Sequence, residues 1–84
     1  MLNKTEIDLS VNQAAAACGD MLRSMRRARG IRLVTISQAV GLSIAEIDKI
    51  ENGCMDTLNL ENVIRLAAFY DKRLYIDFRH SEND

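Results

Sequence analysis

Two short segments in the middle of the chain, each closed by a glycine, constrain the fold more than any other feature. The first runs from Leu33 to Val40 and precedes Gly41, and the second runs from Ser43 to Glu51 and precedes Asn52-Gly53. Each predicts a helix of about two or three turns, which is too short to be stable in isolation. Glycine favours the left-handed conformation in which many helices end. We therefore expect two short helices that pack on each other and on longer ones.

A longer helix is predicted before this pair, from Ser10 to Arg29. Ser10 and Gln13 match a capping box at its start, and Gly30 is the expected stop. Gly19 within it costs about 1 kcal/mol relative to alanine, which packing against other helices can offset. The apolar residues recur at helical spacing and predict a buried face of Val11, Ala15, Cys18, Leu22 and Met25.

Another helix is predicted after the pair, from Leu60 to about Tyr70, with Asn59 as its N-cap. Its predicted buried face consists of Leu60, Val63, Ile64, Ala67 and Tyr70, with Leu66 beside it.

The stretch RLYIDFR near the C-terminus changes to a period of two. Leu74, Ile76 and Phe78 alternate with more polar residues, which predicts a β-strand over about residues 73–79. Its partner is either the alternating segment with Ile7, Leu9 and Val11 or the same strand in a second chain, and a short fifth helix is the alternative. The predicted organisation is an N-terminal segment (1–9), a helical domain (10–71), and a strand with a polar tail (72–84).

Composition excludes several classes of protein. The chain is 48% hydrophobic and lacks proline, which favours a folded helical domain, and neither a membrane-length apolar run nor a signal peptide is visible. We therefore expect a soluble, cytoplasmic protein. Cys18 and Cys54 lack metal-ligand spacing, and the single histidine, His80, stands in the tail. We expect neither a metal, a cofactor nor an enzymatic activity.

Charge is distributed unevenly along the chain. The net charge of −1 combines +3 in residues 1–42 with −4 in residues 43–84. Five arginines lie within ten residues: Arg23, Arg26, Arg27, Arg29 and Arg32. Such a cluster is either a solvated helix face or a local anion-binding surface.

The two short helices have the proportions of a helix-turn-helix. Ser37 is small where the helices would cross, and Gly41 stands at the turn. The apolar residues expected between the helices are Ile36, Val40, Leu42, Ile47 and Ile50.

The stretches RSMRRARGIRLVTISQAVGLSIAEIDKIENG and LNLENVIRLAAFY, roughly Met21 to Tyr70, resemble the lambda-repressor/Cro-like, XRE-type helix-turn-helix family. The resemblance implies an all-α fold: a compact bundle of four or five helices that binds double-stranded DNA as a homodimer. Its third helix would enter the major groove. The tail is similar to that of HipB-like antitoxins, in which a C-terminal strand pairs with its twofold mate; here Leu74, Ile76 and Phe78 would form the dimer contact.

The resemblance also assigns roles to individual residues. The base-reading positions are Ile44, Ala45 and Lys49, with Ser43 and Glu46 beside them, and the DNA-backbone contacts are Arg32, Thr35 and Asn52. It further implies a structural salt bridge between Arg26 and Glu51. Relatives usually begin the second helix with Thr-Gln, where this chain has Arg32 and Leu33.

Glu46 has two interpretations. It completes a capping box with Ser43, or it accepts a hydrogen bond from cytosine. Asp48 is expected on the flank of the reading helix.

These observations predict a sequence-specific, homodimeric transcriptional regulator, a repressor that binds a pseudo-palindromic operator. The alternative is a protein-interaction module with weak or no DNA binding: an antitoxin that neutralises a toxin, or an adaptor to another regulator. The acidic second half and the apolar reading positions favour the alternative, whereas the arginine cluster and the turn favour DNA.

Overall fold

The computed structural model describes residues 1–54 and 59–79, and within these ranges the chain contains four helices and no strand. They are α1 (Lys4–Ala28), α2 (Leu33–Val40), α3 (Ile44–Glu51) and α4 (Leu60–Phe69). Helix α1 packs against α3 and α4, and α2 packs against the same two helices. The all-α prediction is confirmed for the described residues. None of the described helices has both the length and the apolar character needed to cross a membrane.

Helix α1 begins at Lys4, so the predicted start at Ser10 is wrong. Asn3 is the N-cap: its side-chain oxygen accepts from the backbone N–H of Glu6 at 2.8 Å, and the Glu6 carboxylate accepts from the Asn3 N–H at 3.4 Å. Nothing in residues 4–10 interrupts the helix that this capping box starts. Its end agrees with the prediction, because Gly30 has a φ of 62° just beyond Ala28.

The core lies where the four helices meet. Its buried members are Leu22, Ile36, Leu42, Ile47, Ile50, Leu66 and Tyr70. Four of the five residues expected between α2 and α3 are among them, and Val40 is half-buried. On α1, Ala15 and Leu22 are buried, whereas Val11, Cys18 and Met25 are half-buried.

The predicted buried face of α4 is wrong at two positions. Leu60 and Ile64 are 41% and 51% exposed, whereas Leu66 is almost fully buried. The helix is rotated so that Val63, Leu66, Ala67 and Tyr70 point inward. Packing against α1 and α2 selects this face, because α4 has more apolar residues than one side of a helix can bury.

Backbone contact between α1 and the end of α3 explains the glycine within α1. A Cβ atom on Gly19 would lie 2.4 Å from the carbonyl oxygen of Ile50 and 2.6 Å from that of Glu51. A Cβ on Gly53 would likewise lie 2.8 Å from the Cα of Ala16. The two helices can therefore approach this closely only because both glycines lack side chains.

The predicted strand over residues 73–79 is wrong within this chain. Residues 72–79 form neither helix nor strand, so the fifth-helix alternative is wrong for them as well. The segment from Ile7 to Val11, proposed as a partner, lies inside α1. A strand needs a neighbour for its backbone N–H and C=O groups, and the described part of the chain offers none. His80 and the polar tail lie outside the described residues.

Candidate DNA-binding surface

The turn between α2 and α3 is fixed by hydrogen bonds around a left-handed glycine. Gly41 has a φ of 76° and donates its N–H to the carbonyl of Ser37 at 3.1 Å. The Ser37 hydroxyl donates to the carbonyl of Leu42 at 2.6 Å. From α4, the guanidinium of Arg65 reaches the carbonyl of Val40 at 3.4 Å. Two of these bonds satisfy carbonyls in the last turn of α2, and the third ties α2 to the turn before α3.

The N-terminus of α3 carries a reciprocal capping box. The Ser43 hydroxyl accepts from the Glu46 N–H at 3.0 Å, and the Glu46 carboxylate accepts from the Ser43 N–H at 3.1 Å. These hydrogen bonds from Ser43 hold the pKa of the Glu46 carboxyl below its ordinary value. The structure therefore contains the capping interaction of Glu46, and one oxygen of its carboxylate already accepts a hydrogen bond.

The outward face of α3 holds the three positions that the resemblance assigns to base reading. Ile44 is 45% exposed, and Ala45 and Lys49 are exposed as well. Ile47 and Ile50 are buried on the opposite side, which fixes the rotation of the helix about its axis. Asp48 is also exposed. The exposed face therefore offers one apolar side chain, one methyl group and one cation, with the carboxylate of Asp48 beside them.

The C-terminus of α3 is attached to α1 by an ion pair. Glu51 is only 4% exposed, and its carboxylate accepts from Arg26 Nε at 2.8 Å and from Arg26 Nη2 at 2.9 Å. Arg26 Nη1 donates to the carbonyl of Ile31 at 3.4 Å. The hydrogen bonds to Glu51 raise the pKa of Arg26. The structure thus brings Arg26 and Glu51 together, so the negative charge of Glu51 faces inward.

Arg23 has a role that the sequence reasoning missed. Its Nη2 donates to the carbonyl of Glu51 at 2.8 Å and to the side-chain oxygen of Asn52. The Asn52 amide in turn donates to the carbonyl of Asp48 at 2.9 Å. Arg23 precedes Arg26 by three residues and therefore shares its face of α1, and this spacing is the signal that could have identified it.

The arginines of the cluster divide into those whose side chains contact other residues of the protein and those whose side chains do not. Arg29 lies over the ring of Tyr70, with its Cζ atom 5.2 Å from the ring centroid. With Arg23 and Arg26 also engaged, Arg27 and Arg32 are the two that make no ion pair or side-chain hydrogen bond within residues 1–54 and 59–79. Arg32 immediately precedes α2 and is exposed, as is Thr35 in its first turn.

The remaining candidate residues do not form a site. Cys18 is half-buried, which raises the pKa of its thiol, and Cys54 is exposed; both are free thiols. In the part of the chain that the structure describes, no group of residues is arranged to hold a metal ion. Of the proposed dimer contacts, Leu74 is half-buried, whereas Ile76 and Phe78 are 63% and 94% exposed.

Comparison with known proteins agrees with this geometry. No curated protein and no solved structure gives a significant match. A family model described as helix-turn-helix matches residues 22–76, which include α2, the turn, α3 and α4. Since this match covers more than half of the chain, the protein belongs to the XRE-type helix-turn-helix family of DNA-binding regulators.

Proposed function

We propose that the protein is a sequence-specific, homodimeric transcriptional repressor in the cytoplasm, with α3 in the major groove of double-stranded DNA. The observation that supports the proposal is the set of contacts made by the acidic side chains of α3. Glu51 faces Arg26 inside the protein and Glu46 caps the helix, so two of its three acidic side chains are engaged away from the reading positions. The acidic composition of α3 is therefore compatible with an approach to phosphates.

In this proposal the bases are read by Ile44, Ala45 and Lys49. The hydrogen bonds between Ser43 and Glu46 fix the first turn of α3. Ile44 and Ala45 suit thymine methyl groups, and Lys49 suits guanine or phosphate oxygens. Neither apolar residue can form the bidentate hydrogen bonds that discriminate bases most strongly, by about 1–3 kcal/mol each. Sequence-dependent DNA shape then supplies much of the specificity.

The residues proposed to contact phosphates lie at the N-terminus of α2 and at the C-terminus of α3. Arg32 and Thr35 are exposed there, and Arg32 makes no side-chain bond to the described residues. Asn52 uses its side-chain oxygen and one amide N–H inside the protein, which leaves the second N–H to donate to a phosphate. Such contacts position the protein and make its affinity depend on salt.

The homodimer would use the apolar side chains beyond α4. Ile76 and Phe78 are largely exposed, and burying such side chains is worth about 1.5–3 kcal/mol each. A twofold dimer predicts a pseudo-palindromic operator whose half-sites lie about one helical turn apart.

The test is duplex binding as a function of salt, on sites selected from a random library. The variant carries Arg32→Ala and Lys49→Ala, and a control that carries Lys4→Ala and Arg79→Ala removes the same charge from exposed positions elsewhere. We expect the first pair to weaken binding and to flatten the salt dependence by roughly one unit of slope per lost phosphate contact. Equal effects of the two pairs would refute the proposed surface.

A second candidate function, an antitoxin or adaptor that binds another protein, is favoured by exposed apolar residues on α4. Leu60 and Ile64 are 41% and 51% exposed. If the wild-type protein binds no duplex even at low salt, while Ile64→Asp abolishes capture of a protein encoded by a neighbouring gene, this second function replaces the first.

A further inference from the structure

An apolar stripe runs along α1 and continues beyond the part of the helix that packs on the core. It consists of Ile7, Val11, Ala14, Cys18, Met21 and Met25, at alternating spacings of four and three. Ile7 and Met21 are 48% and 60% exposed, although both lie on a helix that is otherwise well formed. From Ser10 to Gly19 the helix carries no charged residue on any side. Ala14 is exposed as well, whereas Val11, Cys18 and Met25 are half-buried, and a partly exposed apolar face of this kind is typical of an interface.

One end of this stripe opens into a groove. The groove has a volume of about 480 Å³ and lies between α1, α4 and the segment after α4. Its apolar lining comes from Cys18, Met21, Met25, Val63, Ala67 and Leu74. Lys72 and Arg73 add two cations to its wall and Asp20 adds one carboxylate, which leaves the wall with a net charge of +1. The groove therefore suits an apolar side chain that is accompanied by acidic ones.

We propose that the stripe is an interface with a second copy of this chain, in which the two α1 helices pair antiparallel about a twofold axis. The spacing of 3.5 residues sets the register: Ile7 meets Met25 of the second copy, Val11 meets Met21, and Ala14 meets Cys18. The small residues fall at the centre, where they allow the helix axes to approach to about 8 Å. The contact extends over about 27 Å, at 1.5 Å per residue.

Charge identifies a second copy as the occupant of the groove. In this register each Ile7 enters the groove of the other copy, and the residues on either side of it in sequence, Glu6 and Asp8, are acidic. Because residues two apart on a helix point about 160° apart, one of these two carboxylates approaches the cations Lys72 and Arg73. One helix thus supplies both the apolar group and part of the groove that receives it, so a twofold pairing buries both ends at once.

The pairing leaves the DNA-binding surface open. The opposite flank of α1, with Ala16 and Arg23, contacts the end of α3, whereas the stripe lies on the flank towards α4. This inference shares with the proposed function the expectation of a homodimer, but it places the contact on α1 instead of at Ile76 and Phe78, and it does not depend on DNA binding.

The experiment measures the dimer dissociation constant by sedimentation equilibrium for the full chain, for Ile7→Glu, and for the matched control Leu9→Glu. Leu9 is 55% exposed, lies two residues away on the other side of the same helix, and receives the same change in charge. Met21→Glu tests the other end of the stripe. Circular dichroism and thermal unfolding establish that each variant is folded.

We expect the dimer dissociation constant to rise at least about a hundredfold for Ile7→Glu, because twofold symmetry places the change at both ends of the interface. Met21→Glu should act similarly, and Leu9→Glu should leave the constant unchanged. A wild-type protein that is monomeric at high concentration, or equal effects of Ile7→Glu and Leu9→Glu, would overturn the pairing.

Two further outcomes separate this pairing from the proposed function. If Ile76→Asp with Phe78→Asp gives monomers while Ile7→Glu leaves the dimer intact, the pairing through α1 is overturned and the proposed function stands. If Ile7→Glu gives monomers and the wild-type dimer binds no duplex DNA, the pairing stands and the proposed function falls.

Discussion

Breaking the ion pair between Arg26 and Glu51 from one side should destabilise the protein far more than breaking an exposed pair on its surface. Removing one partner of a buried pair typically costs about 3–5 kcal/mol, because the remaining charge is left without compensation. The side chain of Glu51 is 4% exposed and that of Arg26 is 18% exposed. Because Arg26 keeps some contact with water, we expect Glu51→Ala to lower the free energy of unfolding by about 3 kcal/mol, the lower end of this range. In a domain of this size, that loss lowers the midpoint of thermal unfolding by about 15 °C.

A second glutamate–arginine pair in the same chain provides the matched control. On α4, Nη2 of Arg65 lies 3.5 Å from Oε1 of Glu61, and the side chain of Glu61 is 75% exposed. An exposed pair at this helical spacing contributes about 0.3–0.5 kcal/mol, so Glu61→Ala should be nearly neutral. Both variants are measured by urea unfolding, monitored by circular dichroism, with the slope checked for constancy. If Glu51→Ala costs no more than Glu61→Ala, the structural assignment of the buried pair is wrong.

Two other predictions concern the backbone contact and the helix cap. Gly19→Ala should lower the free energy of unfolding by about 1–3 kcal/mol, despite the better helix propensity of alanine, because its Cβ would lie 2.4–2.6 Å from backbone carbonyl oxygens. The control Asn12→Ala, at an exposed position of the same helix, should not lower it. In an NMR titration, Glu46 should have a pKa below its ordinary value of 4.5, and Ser43→Ala should raise it. Since the folded-state pKa is the lower one, the stabilisation is present above pH 4.5 and disappears as the pH falls through the folded-state value. Alanine keeps the backbone N–H of residue 43, which is the larger cause of the lowering, so the rise should be partial; an ordinary pKa for Glu46 in the wild-type protein would contradict the capping role.

The central helices could be predicted from sequence because local chemistry determines their ends. Gly41 closes α2 where a positive φ is needed, and Ser43 with Glu46 starts α3 by a pattern whose two hydrogen bonds involve neighbouring residues only. The inward direction of Glu51 followed from the family resemblance, not from the local sequence.

One of the three errors is local, and the other two fall where the answer depends on distant parts of the chain. Two capping patterns compete near the N-terminus, and Asn3 begins the helix before Ser10 can. The exposure of Ile64 depends on how α4 rotates against its neighbours. The alternation in residues 73–79 describes a strand only if a partner is present, and no local signal supplies one.

The attachment of α3 at both ends has a consequence for how such a protein can change. Its orientation depends on Ser37 at the turn and on Glu51 at its C-terminus, while Ile44 and Lys49 form no side-chain hydrogen bond or ion pair with the described residues. Substitutions at these outward positions therefore carry little cost in folding. Combinatorial libraries at such sites should yield many folded variants with altered operator preference, so that binding specificity can diverge without stabilising changes elsewhere in the chain.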